Sequence, residues 1–312
     1  MTKVSFHLCS LVCAENPTLQ SLLGFARRQT EGRYVFTDDR RAADVVLFVE
    51  NGYVGLQQIP AALKIRAENP RAILAMFSEC DWPFAFLPGL YSSLVKPLPW
   101  AWSWAYFLDE TPTAEPDAGD RPYLFSFLGR VSTHPVRRAL QRLDSPPTPC
   151  LDTSDAPRRF DNWHYQRTFD EVMRRSRFVL CPRGFGASSK RTFEAMRAGR
   201  VPVIISDAWI EPPVGDWSRF SIRVRERDIE HIPQLCADHA ESAGHMGTLA
   251  REAFQQHFAP KGFLETALDF VCANARESRA ARQRLLRPAL KALSVREFRT
   301  VASQLRHAIA VR

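Results

Sequence analysis

The chain has 312 residues, 45% hydrophobic and 24% charged, with a formal net charge of +8. That length accommodates two α/β units with separate cores, and the composition excludes wholesale disorder. Seven cysteines form an odd set without a CxxC pair, which predicts reduced thiols in a cytosolic compartment rather than a disulfide framework or a zinc site.

Val4 to Leu8 reads as a first strand. The opening 14 residues are too polar for a signal peptide, because His7, Cys9 and Ser10 break the apolar run. No stretch approaches the ~20 unbroken apolar residues of a membrane span. Further strands are expected at Val45–Val49 and Ile73–Phe77, with helices over 17–29 and 57–68. Asp38-Asp39 reads as turn and capping chemistry rather than a metal-binding pair. Glu50, Glu79 and Asp81 follow strands at their carboxyl ends. Trp100, Trp102 and Trp104 alternate, and packing is preferred for them over stacking on a sugar.

Asp109 to Pro122 holds three prolines and five acids and reads as a linker between units 1–108 and 123–275. Tyr123–Leu128 opens the second unit and ends at Gly129-Arg130, a strand-end turn. His134 and Arg137 follow; a solvated surface position is preferred for each. Asp144 to Pro157, rich in proline, reads as a loop. Helices are expected over 165–176 and 246–276.

The densest signal runs from Ser176 to Asp207. Phe178-Val179-Leu180-Cys181 has no alternation and suits a strand covered on both faces. A helix starts at Ser188 or Ser189 and stops at Gly199, and Val201–Ile205 is the next strand. Strand, helix and strand so close together form a parallel βαβ unit. Ligands of such sheets bind at the carboxyl ends of the strands, where Arg183 to Ser189 and Ser206-Asp207 fall. Gly184 and Gly186 admit a close backbone approach, Ser188 and Ser189 offer hydroxyls, and Arg183, Lys190 and Arg191 add positive charge. Together they suit a phosphate. Glu194, one helical turn after Arg191, suits ribose hydroxyls. The loop is neither a P-loop nor the dinucleotide glycine fingerprint.

These residues carry a resemblance. Cys181-Pro182-Arg183-Gly184, Ser189-Lys190-Arg191, Phe193-Glu194-Ala195, Ala198-Gly199 and Val201–Ile205 resemble the core of the exostosin-like glycosyltransferases. Weaker similarity covers Phe125–Arg130 with Pro135-Val136-Arg137, Asp216–Val224, and Phe36–Asp38 with Ala43–Val49. The resemblance implies a GT-B architecture of two Rossmann-like domains. It further implies an inverting, metal-independent transfer of a sugar from a nucleotide sugar, a UDP-sugar co-substrate with no other cofactor, to a glycan or lipid-linked acceptor. Polysaccharide biosynthesis is the setting it suggests. Gly129, Arg130, Arg183, Ser188, Ser189, Arg191, Glu194 and Asp207 would hold the donor, and Asp81 or Glu79 would be the base. Two alternatives stand beside it: a fucosyltransferase-like enzyme using a GDP-sugar, and a non-catalytic nucleotide-sugar-binding protein.

Residues 276–312 contain ten Lys/Arg against two Asp/Glu, so the preceding 275 balance at 32 basic and 32 acidic. This stretch has a helical apolar stripe at Val295, Phe298, Val301, Leu305 and Ile309. It suits either a helix packed on the body or a basic amphipathic helix at an anionic membrane surface, making the enzyme cytoplasmic and peripheral. No aromatic-interleaved basic surface accompanies the charge, so no nucleic-acid partner is expected.

Overall fold

The computed structural model describes residues 3–29, 32–108, 121–154 and 163–275. The first unit runs β1 (Val4–Cys9), α1 (Pro17–Arg28), β2 (Tyr34–Phe36), β3 (Val45–Glu50), α2 (Ile59–Glu68), β4 (Ile73–Ser78), β5 (Gly89–Tyr91) and β6 (Ala101–Ser103). Its six strands form one sheet in the order β2-β1-β3-β4-β5-β6, every neighbouring pair parallel. β3 is buried at all six positions, as a strand covered on both faces must be. Asn16 caps α1 by accepting the Leu19 N–H at 2.7 Å, and Pro17 opens the helix.

The second unit runs β7 (Tyr123–Gly129), α3 (Pro135–Leu140), β8 (Cys150–Asp152), α4 (Trp163–Arg174), β9 (Ser176–Pro182), α5 (Lys190–Arg197), β10 (Val201–Ile205), β11 (Ile222–Val224), α6 (Ile232–Asp238) and α7 (Ala243–His257). A last helix, α8, spans 260–275. Five strands form a second sheet, β11-β10-β9-β7-β8, again parallel throughout. Two parallel α/β units in succession make the expected GT-B arrangement. Ser189 stands at the N-cap of α5, and Gly199 takes the left-handed φ of +66° that ends it.

Three differences from the sequence reading stand out in the strands and helices. β2, β5, β6 and β8 are three-residue strands, too short for their sequences to announce them, and β8 falls inside the stretch read as loop. The helix expected over 246–276 is two helices, α7 and α8, broken at Phe258-Ala259. α8 follows the second unit in sequence yet packs on the first. Phe263 meets Phe77 and Trp104, with ring centroids 4.9 and 6.3 Å away, and Phe270 meets Trp102 at 4.7 Å. Asp269 accepts from Tyr34 and Arg33, both at 2.6 Å. The alternating tryptophans are therefore packing residues. One apolar cluster contains Phe77 and Trp104 from the first unit, Phe193 and Trp217 from the second, and Phe263 and Leu268 from α8. Most of the linker (109–120) and the basic segment 276–312 lie outside the described residues. None of the described helices is long and apolar enough to cross a membrane, and all seven cysteines are free.

Gly89 supplies a sharp test of the first sheet. Its φ is +154°, and a Cβ there would lie 1.9 Å from the Met76 carbonyl oxygen on β4. The clash is with backbone, so it cannot be relieved by a rotamer. Gly89→Ala should destabilise the protein by on the order of 3 kcal/mol, seen as a lower denaturant midpoint; an unchanged midpoint would contradict the β4–β5 pairing.

Candidate active site

The carboxyl ends of the two sheets meet. Asp81 stands on the loop after β4, and the Gly186 N–H of the loop after β9 donates a hydrogen bond to its carboxylate. A Cβ on Gly186 would come within 2.6 Å of Asp81 Oδ1 and 2.3 Å of Ser93 Oγ. Only glycine lets this backbone approach so closely. Tyr106 ties the same corner together: its hydroxyl lies 2.9 Å from Ser93 Oγ and, more distantly, donates to Asp81 Oδ1 at 3.4 Å. Burial raises the Asp81 carboxyl above its ordinary value, against the hydrogen bonds from Tyr106 and Gly186 and the charge of Arg137. Burial likewise pushes the Tyr106 hydroxyl up.

The other two strand-end acids are committed elsewhere. Glu79 accepts from Thr18 Oγ1 at 2.5 Å and from the Phe107 N–H at 2.7 Å, so both its oxygens tie segments of the first unit together. Burial raises its carboxyl, offset in part by Thr18 and Lys190. Glu50 is 1% exposed and accepts from the Leu11 N–H at 2.5 Å and Ser10 Oγ at 2.8 Å. Neither is a surface carboxylate, and of the three only Asp81 accepts a hydrogen bond from the opposite unit, whereas Glu79 feels only the charge of Lys190 there.

On the second unit's edge, four buried polar atoms lack a hydrogen-bond partner: Arg183 Nε, Ser188 Oγ, Arg191 Nε and Ser206 Oγ. All four lie at the carboxyl edge of the second sheet, after β9, at the start of α5 or after β10. Leaving such groups unpaired costs ~1–3 kcal/mol each, so four on one edge describe a place for a polar ligand. Arg191 is held over Phe169, its guanidinium carbon 4.3 Å from the ring centroid. Its Nη1 lies 3.0 Å from where a Cβ on Gly129 would stand. Glu194 is 3.9 Å from Arg191 Nε and shares its half-buried position.

Arg137 is a member that residue-by-residue reading placed on the surface. It donates instead to the carbonyls of Arg183 (2.8 Å), Pro182 (3.2 Å) and Arg130 (3.4 Å), which fixes the phosphate-type loop against the turn after β7. Burial, then the nearby charge of Arg191, pulls its pKa down to about 10. Two guanidinium groups close enough to repel invite an anion between them. Two signals pointed to it: its place two residues after Pro135 at a helix start, and the resemblance of Pro135-Val136-Arg137. His134 caps that helix through Nδ1, which accepts the Val136 N–H at 3.3 Å.

Arg183 pairs with Glu226 at 3.6 Å. Asp207 and Glu226 each accept the other's backbone N–H, at 3.2 and 3.1 Å. Ser206 and Asp207 also border a cavity of about 510 Å³ with Arg223, Val224, Arg225 and Arg227. Ser189 is buried without a side-chain capping bond. Gly129, Arg130, Arg183, Ser188, Ser189, Arg191, Glu194 and Asp207 thus share one sheet edge, while Glu79 stands apart. Among the described residues, no three His, Cys, Asp or Glu side chains come together so as to hold a metal ion.

Residues 106–238 match the exostosin GT47 domain. Over that stretch the chain resembles the exostosin-like glycosyltransferases. It is 45% identical to an Exostosin-1 homolog of Caenorhabditis elegans over 78 residues, 24% of this chain and 19% of that one. A probable glycosyltransferase of Arabidopsis thaliana is 32% identical over 124 residues, 38% of this chain and 22% of its own. The matched stretches span about a fifth of the length of these curated relatives. The crystal structure of TarM aligns with 82% of this chain and 58% of its own, at 9% identity and a TM-score of 0.40; that score is too low to add to the fold described above. The matched stretch contains the whole sheet edge from Gly129 to Asp207, and Asp81 lies outside it.

Proposed function

We propose that this protein transfers a sugar from a nucleotide sugar to a glycan or lipid-linked acceptor, with inversion and without a catalytic metal. The observation that carries the reading is the set of unpaired buried donors on Arg183, Ser188, Arg191 and Ser206, placed opposite the raised carboxyl of Asp81. In the step itself, Asp81 takes the proton of an acceptor hydroxyl. The freed oxygen forms a bond to the anomeric carbon as the bond from that carbon to the diphosphate breaks. Arg191, aided by Arg183 and the start of α5, stabilises the charge that develops on the departing nucleoside diphosphate. Arg137 positions the loop that does this, and Glu194 receives the ribose hydroxyls.

A thermal-shift panel of nucleoside diphosphates tests the reading. A ligand at 100 times its dissociation constant should stabilise the protein by ~2.7 kcal/mol. The same panel on Glu194→Ala should weaken both the diphosphate and the bare nucleoside, since both carry the ribose. If neither UDP nor GDP shifts the wild-type protein, the donor site is not here.

A further inference from the structure

Beside Asp81 two aromatic rings meet across the cleft. Trp82 follows the acid on the loop after β4, and Phe185 lies between Gly184 and Gly186 on the loop after β9. Their centroids are 5.6 Å apart, with the planes inclined by 43°. Trp82 is 50% exposed and Phe185 44%. The setting is unusual for this chain, where Trp100, Trp104, Trp209 and Trp217 are all buried. Large rings left in water side by side, one from each unit, mark a contact surface rather than unused packing.

Their surroundings narrow the ligand. A Cβ on Gly184 would stand 3.1 Å from Arg137 Nη2, and one on Gly186 would meet Asp81 and Ser93. The loop is therefore seated closely on both sides of Phe185. One residue from Trp82 the surface turns polar, with the Asp81 carboxylate backed by Tyr106 and the buried Ser93 hydroxyl. The matching ligand has an apolar face and an edge of hydroxyls within a single small ring. A pyranose has that form, since its axial C–H groups make an apolar face and its hydroxyls the rim. A lipid tail or an apolar peptide side chain would leave the carboxylate facing hydrocarbon.

We propose that Trp82 and Phe185 form the platform for one pyranose ring of the acceptor, which lies on both rings with a hydroxyl directed at Asp81. This assignment rests on the reading of Asp81 as the base. It also makes the loop after β9 serve both substrates, the donor through Arg183 and Ser188 and the acceptor through Phe185.

The test uses the full chain and methyl β-pyranosides of glucose, galactose, xylose and N-acetylglucosamine as probes. Acrylamide quenching of tryptophan fluorescence reports the exposed Trp82. At least one glycoside should protect this component in the wild type. Trp82→Phe should remove the protected component, and Phe185→Ala should weaken the same glycoside at least fivefold. UDP and GDP affinities, measured by calorimetry, should be unchanged in both variants. If no glycoside protects the wild type, or if Phe185→Ala binds as wild type, the platform is refuted. Failure of both nucleotides to bind wild-type protein would instead strike the donor reading, and the quenching result would still decide the platform.

Discussion

Asp81→Asn should lower sugar transfer by roughly 10²–10⁴-fold, the range contributed by a positioned general base, with nucleoside diphosphate affinity unchanged. The amide keeps the volume and can still accept from the Gly186 N–H, so the contact between the two units survives. It cannot take a proton. Stability should move the other way. The folded-state value of Asp81 is raised by burial, so its contribution to folding is fully present below the ordinary carboxylate range. That contribution is lost as pH rises through the raised value. At neutral pH the wild type carries this penalty and the amide does not, so Asp81→Asn should melt at the same temperature or slightly higher. The acid limb of the wild-type pH–rate profile should also lie above the ordinary aspartate range. Retained transfer in Asp81→Asn, followed with a radiolabelled donor, would remove Asp81 from the chemistry.

Arg191→Ala should weaken nucleoside diphosphate by roughly 10- to 150-fold, the equivalent of losing a charge-assisted contact of about 1.5–3 kcal/mol. The bare nucleoside should bind almost as before, because the lost contact is to phosphate. The side chain is already held in place by Phe169, so little ordering is needed when the ligand arrives. Its Nε has no hydrogen-bond partner to give up. Arg191→Lys should fall between, since an ammonium keeps the charge but not the fork. Gly129→Ala gives an independent check: its Cβ would stand 3.0 Å from Arg191 Nη1 and should weaken the diphosphate without touching the charge. Calorimetric titration of both ligands against the three variants decides the matter. Equal losses of nucleoside and diphosphate in Arg191→Ala would place the phosphate elsewhere.

Much of this was legible in the chain because the informative residues are local. The unbroken apolar runs of β3, β4, β9 and β10 state their own burial, and Ser189 and Gly199 mark the two ends of α5, although the Ser189 side chain makes no capping bond. The sheet edge carrying the site candidates follows, since a parallel strand fixes where its next loop must lie. What stayed hidden is long-range. The three-residue strands exist because neighbours offer hydrogen bonds, which no local pattern announces. Arg137 looks like any exposed helical arginine until the carbonyls of Pro182 and Arg183 are brought to it. Choosing Asp81 over Glu79 likewise needed the opposite unit: both follow β4, and only the approach of Gly186 separates the acid in the cleft from the one that ties Thr18 to Phe107.

The shared aromatic cluster bears on how far the chain is modular. Phe193 and Trp217 from the second unit, Trp104 from the first and Phe263 from α8 occupy one continuous interior. The two halves should therefore melt together, in one cooperative transition, although each has a sheet of its own. A chimaera that exchanged the donor half for that of a relative would have to bring a compatible α8 as well. Without that helix, the receiving half would present bare tryptophan and phenylalanine to water, and insolubility rather than altered specificity would be its first phenotype.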